Sequence, residues 1–170
     1  MQSLNSFSKT RLGWLLLLLS IIFFESSALF FEHVMNLPPC VMCIYERVAM
    51  IGIGIAAIIG LLAPKNGILR WIGLLGWGYS AYRGLALAYQ HVGFQFEPSP
   101  FATCDLFVSF PSWAPLNHWV PWMFEAYGDC AKVEWTFLDL SMPQWLVIIF
   151  AANVIIWTIM VIAQFFGKKR

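Results

Sequence analysis

Charged side chains are scarce in this sequence. Asp, Glu, Lys and Arg make up 11% of the 170 residues, whereas hydrophobic residues make up 60%. A water-soluble domain of this size needs a more polar surface, so the composition excludes that class of protein. Internal repeats, strand-like alternation, glycine-rich phosphate loops and polybasic patches are also missing from the sequence. We therefore expect no nucleic-acid partner.

Four long apolar runs are present instead. Each is about as long as the roughly 20 residues that a helix needs to cross a bilayer. The runs lie at residues 12–31, 44–62, 68–89 and 144–166. We expect an all-α integral membrane protein, in which residues 1–170 form a single membrane domain built as an antiparallel four-helix transmembrane bundle.

Acidic residues are missing from one set of connecting segments. Residues 1–11, 63–67 and 167–170 contain Lys or Arg but no Asp or Glu. The opposite loops, residues 32–43 and 92–143, are rich in acids and together contain one Lys and no Arg. Positively charged loops stay on the cytoplasmic side, so we expect both termini in the cytoplasm and both acidic loops outside.

Only four cysteines are present, and Cys40, Cys43, Cys104 and Cys130 all fall in the two outer loops. If the host is bacterial, the outer side is the oxidising periplasm, where disulfides persist. A zinc site, two structural disulfides and a redox relay are the three hypotheses. Zinc is the weakest, because a second close cysteine pair is missing. A disulfide between cysteines so close in sequence removes little entropy from the unfolded chain. Cys40 and Cys43 therefore suit thiol–disulfide exchange better than a structural role.

The segment around the first two cysteines predicts a reactive site. Pro39 suits a helix start, so we expect a helix to begin near Cys40 and to place both cysteines in its first turn. Free backbone N–H groups at a helix N-terminus favour the thiolate, which is the reactive form of cysteine. Cys43 and Arg47 would then share a helix face, and the guanidinium could stabilise that thiolate. The alternative is a structural disulfide beside an Arg that reaches the membrane surface.

The outer loop at residues 92–143 is long for so compact a chain, which is typical of a functional loop. Its middle, residues 113–124, is aromatic and contains Pro115 and Pro121. Aromatic side chains concentrate at bilayer surfaces, so we expect a short interfacial helix or turn in this loop. A small aromatic cap packed on the helix ends is the alternative.

Two charged residues interrupt the apolar runs. Glu25 lies thirteen residues beyond Leu12, and Arg83 lies thirteen residues beyond Arg70. At the same rise per residue, the two charges reach a similar depth from the cytoplasmic side. A charge at that depth needs a partner, so we predict that Glu25 pairs with Arg83.

Several motifs resemble those of a known family. Residues 39–47 read Pro-Cys-Val-Met-Cys-Ile-Tyr-Glu-Arg and closely resemble the redox motif of DsbB, the family of bacterial inner-membrane disulfide-bond formation proteins. The resemblance continues in residues 79–84, 98–105, 128–130 and 142–145. It covers nearly the whole chain in order. The weak region is residues 1–11, to which we assign no role.

The resemblance implies a four-helix bundle in the bacterial inner membrane that reoxidises a periplasmic DsbA-type thiol oxidase and passes the electrons to a membrane quinone. The partner's thiolate would attack Cys104 and release Cys130. Cys130 would then attack the Cys40–Cys43 disulfide at Cys40, and Cys43 would leave as a thiolate that faces the quinone. DsbA-type proteins are strong oxidants, so a more oxidising acceptor, ubiquinone or menaquinone, must recharge them.

The resemblance also implies residues that lie beside the quinone. These are Arg47, which would stabilise the thiolate charge, and His91 and Gln95 at the outer end of the third run. Ordinary interfacial polar residues are the alternative interpretation of His91 and Gln95. A non-enzymatic membrane scaffold with structural disulfides and a metal-binding membrane protein are the rival hypotheses for the chain as a whole.

Overall fold

The computed structural model describes residues 2–96, 104–105 and 107–165. In chain order the helices are α1 (Gln2–Ser8), α2 (Arg11–His33), α3 (Val41–Leu62), α4 (Gly67–Phe96), α5 (Leu116–Trp119), α6 (Pro121–Phe124) and α7 (Met142–Phe165). Strands β1 (Thr136–Phe137) and β2 (Leu140–Ser141) pair antiparallel just before α7. The chain is therefore mostly helical, as the composition predicts.

Each predicted apolar run becomes one long helix, and the runs at residues 12–31, 44–62 and 68–89 lie inside α2, α3 and α4. The fourth run, residues 144–166, corresponds to α7, and its last residue lies outside the described part of the chain. Of the described helices, α2, α3 and α7 are long and apolar enough to cross a membrane. The 30-residue α4 is long enough but too polar by that measure, because its glycines, tyrosines and Arg83 lower its hydropathy.

The four long helices pack around a shared apolar core. Helix α3 packs against α2 and α4, and α4 also packs against α7. Small residues allow this close approach. A Cβ atom on Gly60 would collide with the ring of Trp14, and one on Gly84 would collide with the ring of Phe150. The glycine-rich middle of the sequence is therefore the packing surface between helices.

The predicted pair of Glu25 with Arg83 is wrong. Glu25 Oε2 lies 3.8 Å from Arg47 Nε, and Arg83 is exposed on α4. The prediction compared depth along the helices but not the direction in which each side chain points. Helix α2 packs against α3, so Glu25 meets a cation of α3.

Residues 113–124 contain two single-turn helices, α5 and α6, rather than one. Trp113, Trp119 and Trp122 are exposed, whereas Phe124 is buried. The exposed tryptophans fit a membrane-surface position, whereas the buried Phe124 packs as a residue of an aromatic cap would.

Two further features were not expected from the sequence. The unassigned N-terminus forms α1, which is held against α7 by a 3.0 Å hydrogen bond from Asn5 Nδ2 to the carbonyl of Ala163. The turn between β1 and β2 places Leu138 and Asp139 at positive φ, as a tight hairpin turn requires. Strands of two residues are too short to show alternation, which is why the sequence pattern did not reveal them.

Candidate functional site

The first two cysteines sit at the start of α3, as predicted. Cys40 is the N-cap residue, and its Sγ accepts a hydrogen bond of 3.3 Å from the backbone N–H of Cys43. Pro38 and Pro39 lead into the helix in a segment without regular secondary structure. Both cysteines are free thiols, and their sulfur atoms are 2.9 Å apart. The pair is therefore held at a spacing from which a disulfide can form or break with little backbone movement.

A buried histidine and a buried glutamate lie next to Cys40. His91 Nε2, on α4, is 3.4 Å from Cys40 Sγ, and His91 Nδ1 is 3.0 Å from Glu46 Oε1. Cys40, Glu46 and His91 are 3%, 2% and 2% exposed, respectively. The three side chains thus form a continuous chain of polar contacts that is shielded from solvent.

The other two cysteines form a disulfide, Cys104–Cys130, whose Cα atoms are 6.2 Å apart. The loop reaches α3 because the backbone N–H groups of Tyr127 and Gly128 donate to the carbonyl of Pro39, at 3.0 and 2.9 Å. A Cβ atom on Gly128 would collide with the carbonyl oxygen of Pro38, so only glycine allows this close approach.

This docking brings all four cysteines into one cluster. Cys40 and Cys130 are buried together with Met42, and Cys43 and Cys104 pack against them. The spatial grouping of the four cysteines, which sequence spacing could not establish, is therefore a property of the fold.

Arg47 points toward α2. Its Nη2 atom is 2.9 Å from Glu32 Oε2, its Nε atom is 3.8 Å from Glu25 Oε2, and Nη1 donates to the carbonyl of Met123. Burial and the adjacent Glu32 carboxylate raise the pKa of the Tyr127 phenol, which stays neutral beside this cluster. The nearest charged partners of Arg47 are therefore carboxylates, and the predicted thiolate is not among its contacts.

Gln95 lies one helical turn beyond His91 on α4. Its Nε2 atom donates to the carbonyl of Lys132 at 3.1 Å. Its Oε1 atom is buried and has no hydrogen-bond partner among the residues that the structure describes. An acceptor without a donor is costly, so this atom is suited to an incoming hydrogen-bond donor.

A cavity of about 280 Å³ joins these groups, which is close to the lower end of the range for small-molecule sites, roughly 300–1,000 Å³. Its wall includes the predicted residues Cys40, Cys43, Arg47, His91 and Gln95. Apolar side chains of α2 and α7, such as Phe24, Phe31, Leu146 and Ile149, form much of the remainder. Cys104 and Cys130 do not line the cavity but pack beside it.

Two acidic residues of this site were not singled out from the sequence. Glu46 lies three positions after Cys43, which is a helical spacing that could have placed it near the thiols. From the sequence, Glu32 is only one of the acidic residues of the outer loops, but its Oε2 atom lies 2.9 Å from Arg47 Nη2. In both cases the partner lies on another helix, so the pairing depends on tertiary packing.

The thiols and the histidine also satisfy a geometric condition for metal binding. One ligand atom each from Cys40, Cys43 and His91 lies within 4.8 Å of the others. Thiolate and imidazole ligands suit zinc, and a zinc-binding histidine commonly donates its second N–H to a carboxylate, as His91 could to Glu46.

Comparisons with known proteins agree with the motif resemblance. The family model described as "Disulfide bond formation protein DsbB" matches residues 10–160. Relatives named Disulfide bond formation protein B include one from Vibrio parahaemolyticus, 72% identical over 99% of this chain and 94% of its own length, and one from Aliivibrio fischeri, 72% identical over 99% and 100%. A relative of the same name from Photobacterium profundum is 70% identical over 99% of this chain and 96% of its own length. The chain belongs to the DsbB family of disulfide bond formation proteins.

Proposed function

We propose that this chain is a membrane thiol–disulfide oxidoreductase that reoxidises a periplasmic DsbA-type protein and transfers the electrons to a membrane quinone, ubiquinone or menaquinone. The observation that carries the proposal is the single cluster of four cysteines beside the cavity. A structural disulfide has no need of two further thiols packed against it, whereas a relay of exchanges requires sulfur atoms within reach of each other.

The exchange proceeds through two disulfides. The partner's thiolate attacks Cys104, which forms an intermolecular disulfide and releases Cys130 as a thiolate. Cys130 then attacks Cys40 of the oxidised Cys40–Cys43 pair, so that a Cys130–Cys40 bond forms, the Cys40–Cys43 bond breaks and Cys43 leaves as a thiolate. The shared buried cluster of Cys130 and Cys40 supports this order, because it places the attacking residue and its target in the same part of the fold.

The side chains that line the cavity support the choice of a quinone. Cys43, Arg47, His91 and Gln95 would surround the ring, and the apolar side chains of α2 and α7 would contact its hydrocarbon. A bound quinone supplies an acceptor for two electrons and two protons. The unpartnered Gln95 Oε1 would accept a hydrogen bond from a reduced ring, and the Arg47 guanidinium, a donor, lines the same cavity.

The membrane arrangement is part of the proposal. Helix α4 would cross the bilayer together with α2, α3 and α7, because it packs between two of them along its length. Both termini would be cytoplasmic, and the loops at residues 32–43 and 92–143 would be periplasmic. The exposed tryptophans of residues 113–124 would lie at the surface of the inner membrane.

Thiol trapping tests this function. In the purified chain with Cys130→Ser, oxidised DsbA-type protein should accumulate as a mixed disulfide with Cys104, because the free Cys104 thiolate attacks the partner's disulfide and no Cys130 thiol is present to resolve the product. The matched control is Cys104→Ser, which should trap none. A mixed disulfide through Cys40 or Cys43 would show that the order of the relay is wrong, and the absence of any mixed disulfide would favour an inert scaffold.

A metal-binding function is the second candidate, and the grouping of Cys40, Cys43 and His91 favours it. The reduced chain would then bind Zn²⁺ or Co²⁺ stoichiometrically and resist oxidation by quinone. Titration of the reduced chain with Co²⁺, monitored by thiolate-to-cobalt absorption, distinguishes this candidate from the relay, which needs no metal.

A further inference from the structure

Glu46 has no part in the exchange described above, yet it is almost fully buried against His91. A buried carboxylate is retained only where something compensates its charge. In the described part of the chain its one hydrogen-bond partner is His91 Nδ1, at 3.0 Å. The Arg47 guanidinium, next in sequence, is paired with Glu32 and Glu25 on α2. Compensation of Glu46 therefore falls to the imidazole.

The charge on Glu46 sets the role of each ring nitrogen. An ionised carboxylate can only accept a hydrogen bond, so an ionised Glu46 requires a proton on the Nδ1 atom of His91. In a neutral imidazole the other nitrogen, Nε2, then bears a lone pair. That lone pair lies 3.4 Å from Cys40 Sγ, which is within hydrogen-bonding distance for sulfur.

We propose that His91 accepts the proton of Cys40 and that Glu46 is the positioning residue that orients His91 and stabilises the resulting imidazolium. The proton moves from Cys40 Sγ to His91 Nε2, no electrons are transferred, and the product is a thiolate–imidazolium pair beside the Glu46 carboxylate. Cys40 must carry a negative charge whenever it attacks or leaves a disulfide. This proton transfer deepens the proposed function, and it rests on that function for its role in turnover.

The surroundings make this pair the main source of compensation for charge on Cys40. Cys40 is buried, so its thiolate receives little stabilisation from water. The other titratable groups around the same cavity are Cys43 and Glu46 of α3, Arg47 with Glu25 and Glu32, and Asp129, Lys132 and Glu134 of the loop. His91 is the cation-forming group within hydrogen-bonding distance of Cys40 Sγ among the described residues.

The first test measures the reactivity of Cys40 alone. In the full chain with Cys43, Cys104 and Cys130 replaced by Ser, we expect Glu46→Gln to slow alkylation of Cys40 by iodoacetamide about tenfold or more at about pH 7. At about pH 10, where alkylation depends less on an internal base, the ratio of the parent rate to the Glu46→Gln rate should fall, which separates proton transfer from access. Glu125→Gln, at an exposed loop carboxylate, should leave the rate unchanged at both pH values. Equal rates for Glu46→Gln and the parent at about pH 7 would overturn the proposal.

The second test needs no substitution of Glu46, so it holds even if that variant does not fold. Nitrogen NMR of the chain with ¹⁵N-labelled histidine reports which ring nitrogen of His91 carries a proton, with His33→Gln and His118→Gln used for assignment. We expect a protonated Nδ1. A neutral ring with an unprotonated Nδ1 and a protonated Nε2 would contradict the proposed proton transfer, because Nε2 could not then accept a proton from Cys40.

Neither measurement uses the partner protein or a quinone. Slow alkylation in Glu46→Gln with no mixed disulfide in Cys130→Ser would support the proton transfer and reject the proposed partner chemistry. Unchanged alkylation with a mixed disulfide at Cys104 would reject the proton transfer and support the exchange at Cys104.

Discussion

The two cysteine pairs are held in different ways. Cys40 and Cys43 are three positions apart in the first turn of α3, and a histidine from α4 fixes their surroundings. Cys104 and Cys130 are 26 positions apart in a loop, joined by a covalent bond and docked through backbone hydrogen bonds. The helix pair contains two thiols beside a buried histidine, whereas the loop pair contains a formed disulfide. Under the proposed function, proton control and partner exchange would be separated within one cluster.

Loss of a helix cysteine should have the largest effect. Cys43→Ser removes the thiolate that leaves the Cys40–Cys43 bond, so we expect quinone-dependent oxidation of the DsbA-type partner to fall to the uncatalysed rate. Mixed-disulfide formation at Cys104 should persist, because the loop pair is unchanged. Measurable catalytic turnover in Cys43→Ser would show that the loop pair can work alone, and the two pairs would then not have separate roles.

Separation of the two pairs should have the next largest effect. Gly128→Val places side-chain atoms against the Pro38 carbonyl and should lift Cys130 away from Cys40. Misplacement of a reacting group by about 1 Å can cost roughly 10²-fold, so we expect a decrease of that order in the rate of internal exchange. Rapid-quench trapping of the thiols measures that rate. Gly93→Ala is the control, because a Cβ atom there meets nothing within 4 Å; equal rates in the two variants would contradict the docking.

Removal of the charge of Arg47 should affect only the quinone side. Arg47→Gln should raise the KM for quinone about tenfold, which corresponds to about 1.4 kcal/mol, and leave exchange at Cys104 unchanged. Arg47→Lys should restore part of the affinity, since it keeps the charge without the planar set of donors. Partner oxidation at varied quinone concentration measures the KM for quinone, and mixed-disulfide formation measures exchange at Cys104. Exposed Arg83→Gln is the control for both measurements. An unchanged KM in Arg47→Gln would reduce Arg47 to a structural partner of Glu32.

A loop anchor should give the smallest effect. The Tyr45 hydroxyl on α3 accepts a 2.9 Å hydrogen bond from the backbone N–H of Ser109, near Cys104. Tyr45→Phe keeps the ring that contacts Phe110 and removes this bond together with the 3.4 Å hydrogen bond from the Tyr45 hydroxyl to the Ser109 carbonyl, so the Ser109 amide should exchange its hydrogen about threefold faster. Hydrogen exchange measured by mass spectrometry checks this, with exposed Tyr89→Phe as the control. An unchanged rate would mean that the bond does not hold the loop.

Features encoded locally could be predicted from the sequence. The apolar runs gave all four long helices, because a run of about 20 apolar residues has few other stable structures. The helix start at Cys40 followed from Pro39 and the spacing of the cysteines. Cys40, Cys43, Arg47, His91 and Gln95 line one cavity, and the roles that the family resemblance implies for them stay predictions.

Features that depend on the rotation of one helix against another could not be predicted. The true partners of Arg47 are Glu32 and Glu25, and depth alone had favoured Arg83 for Glu25. The contact of Glu46 with His91 joins positions 45 residues apart, so no local pattern reveals it. Most of residues 98–105, which resemble a family motif, lie outside the described residues.

The central claim is that electrons pass between the two pairs by direct contact of Cys130 with Cys40. The most direct measurement uses the chain with Cys43→Ser and Cys104→Ser, which leaves only these two cysteines. After mild oxidation in membranes, non-reducing peptide mapping should find the Cys40–Cys130 disulfide in most molecules. Two free thiols, or disulfides only between separate chains, would contradict the account.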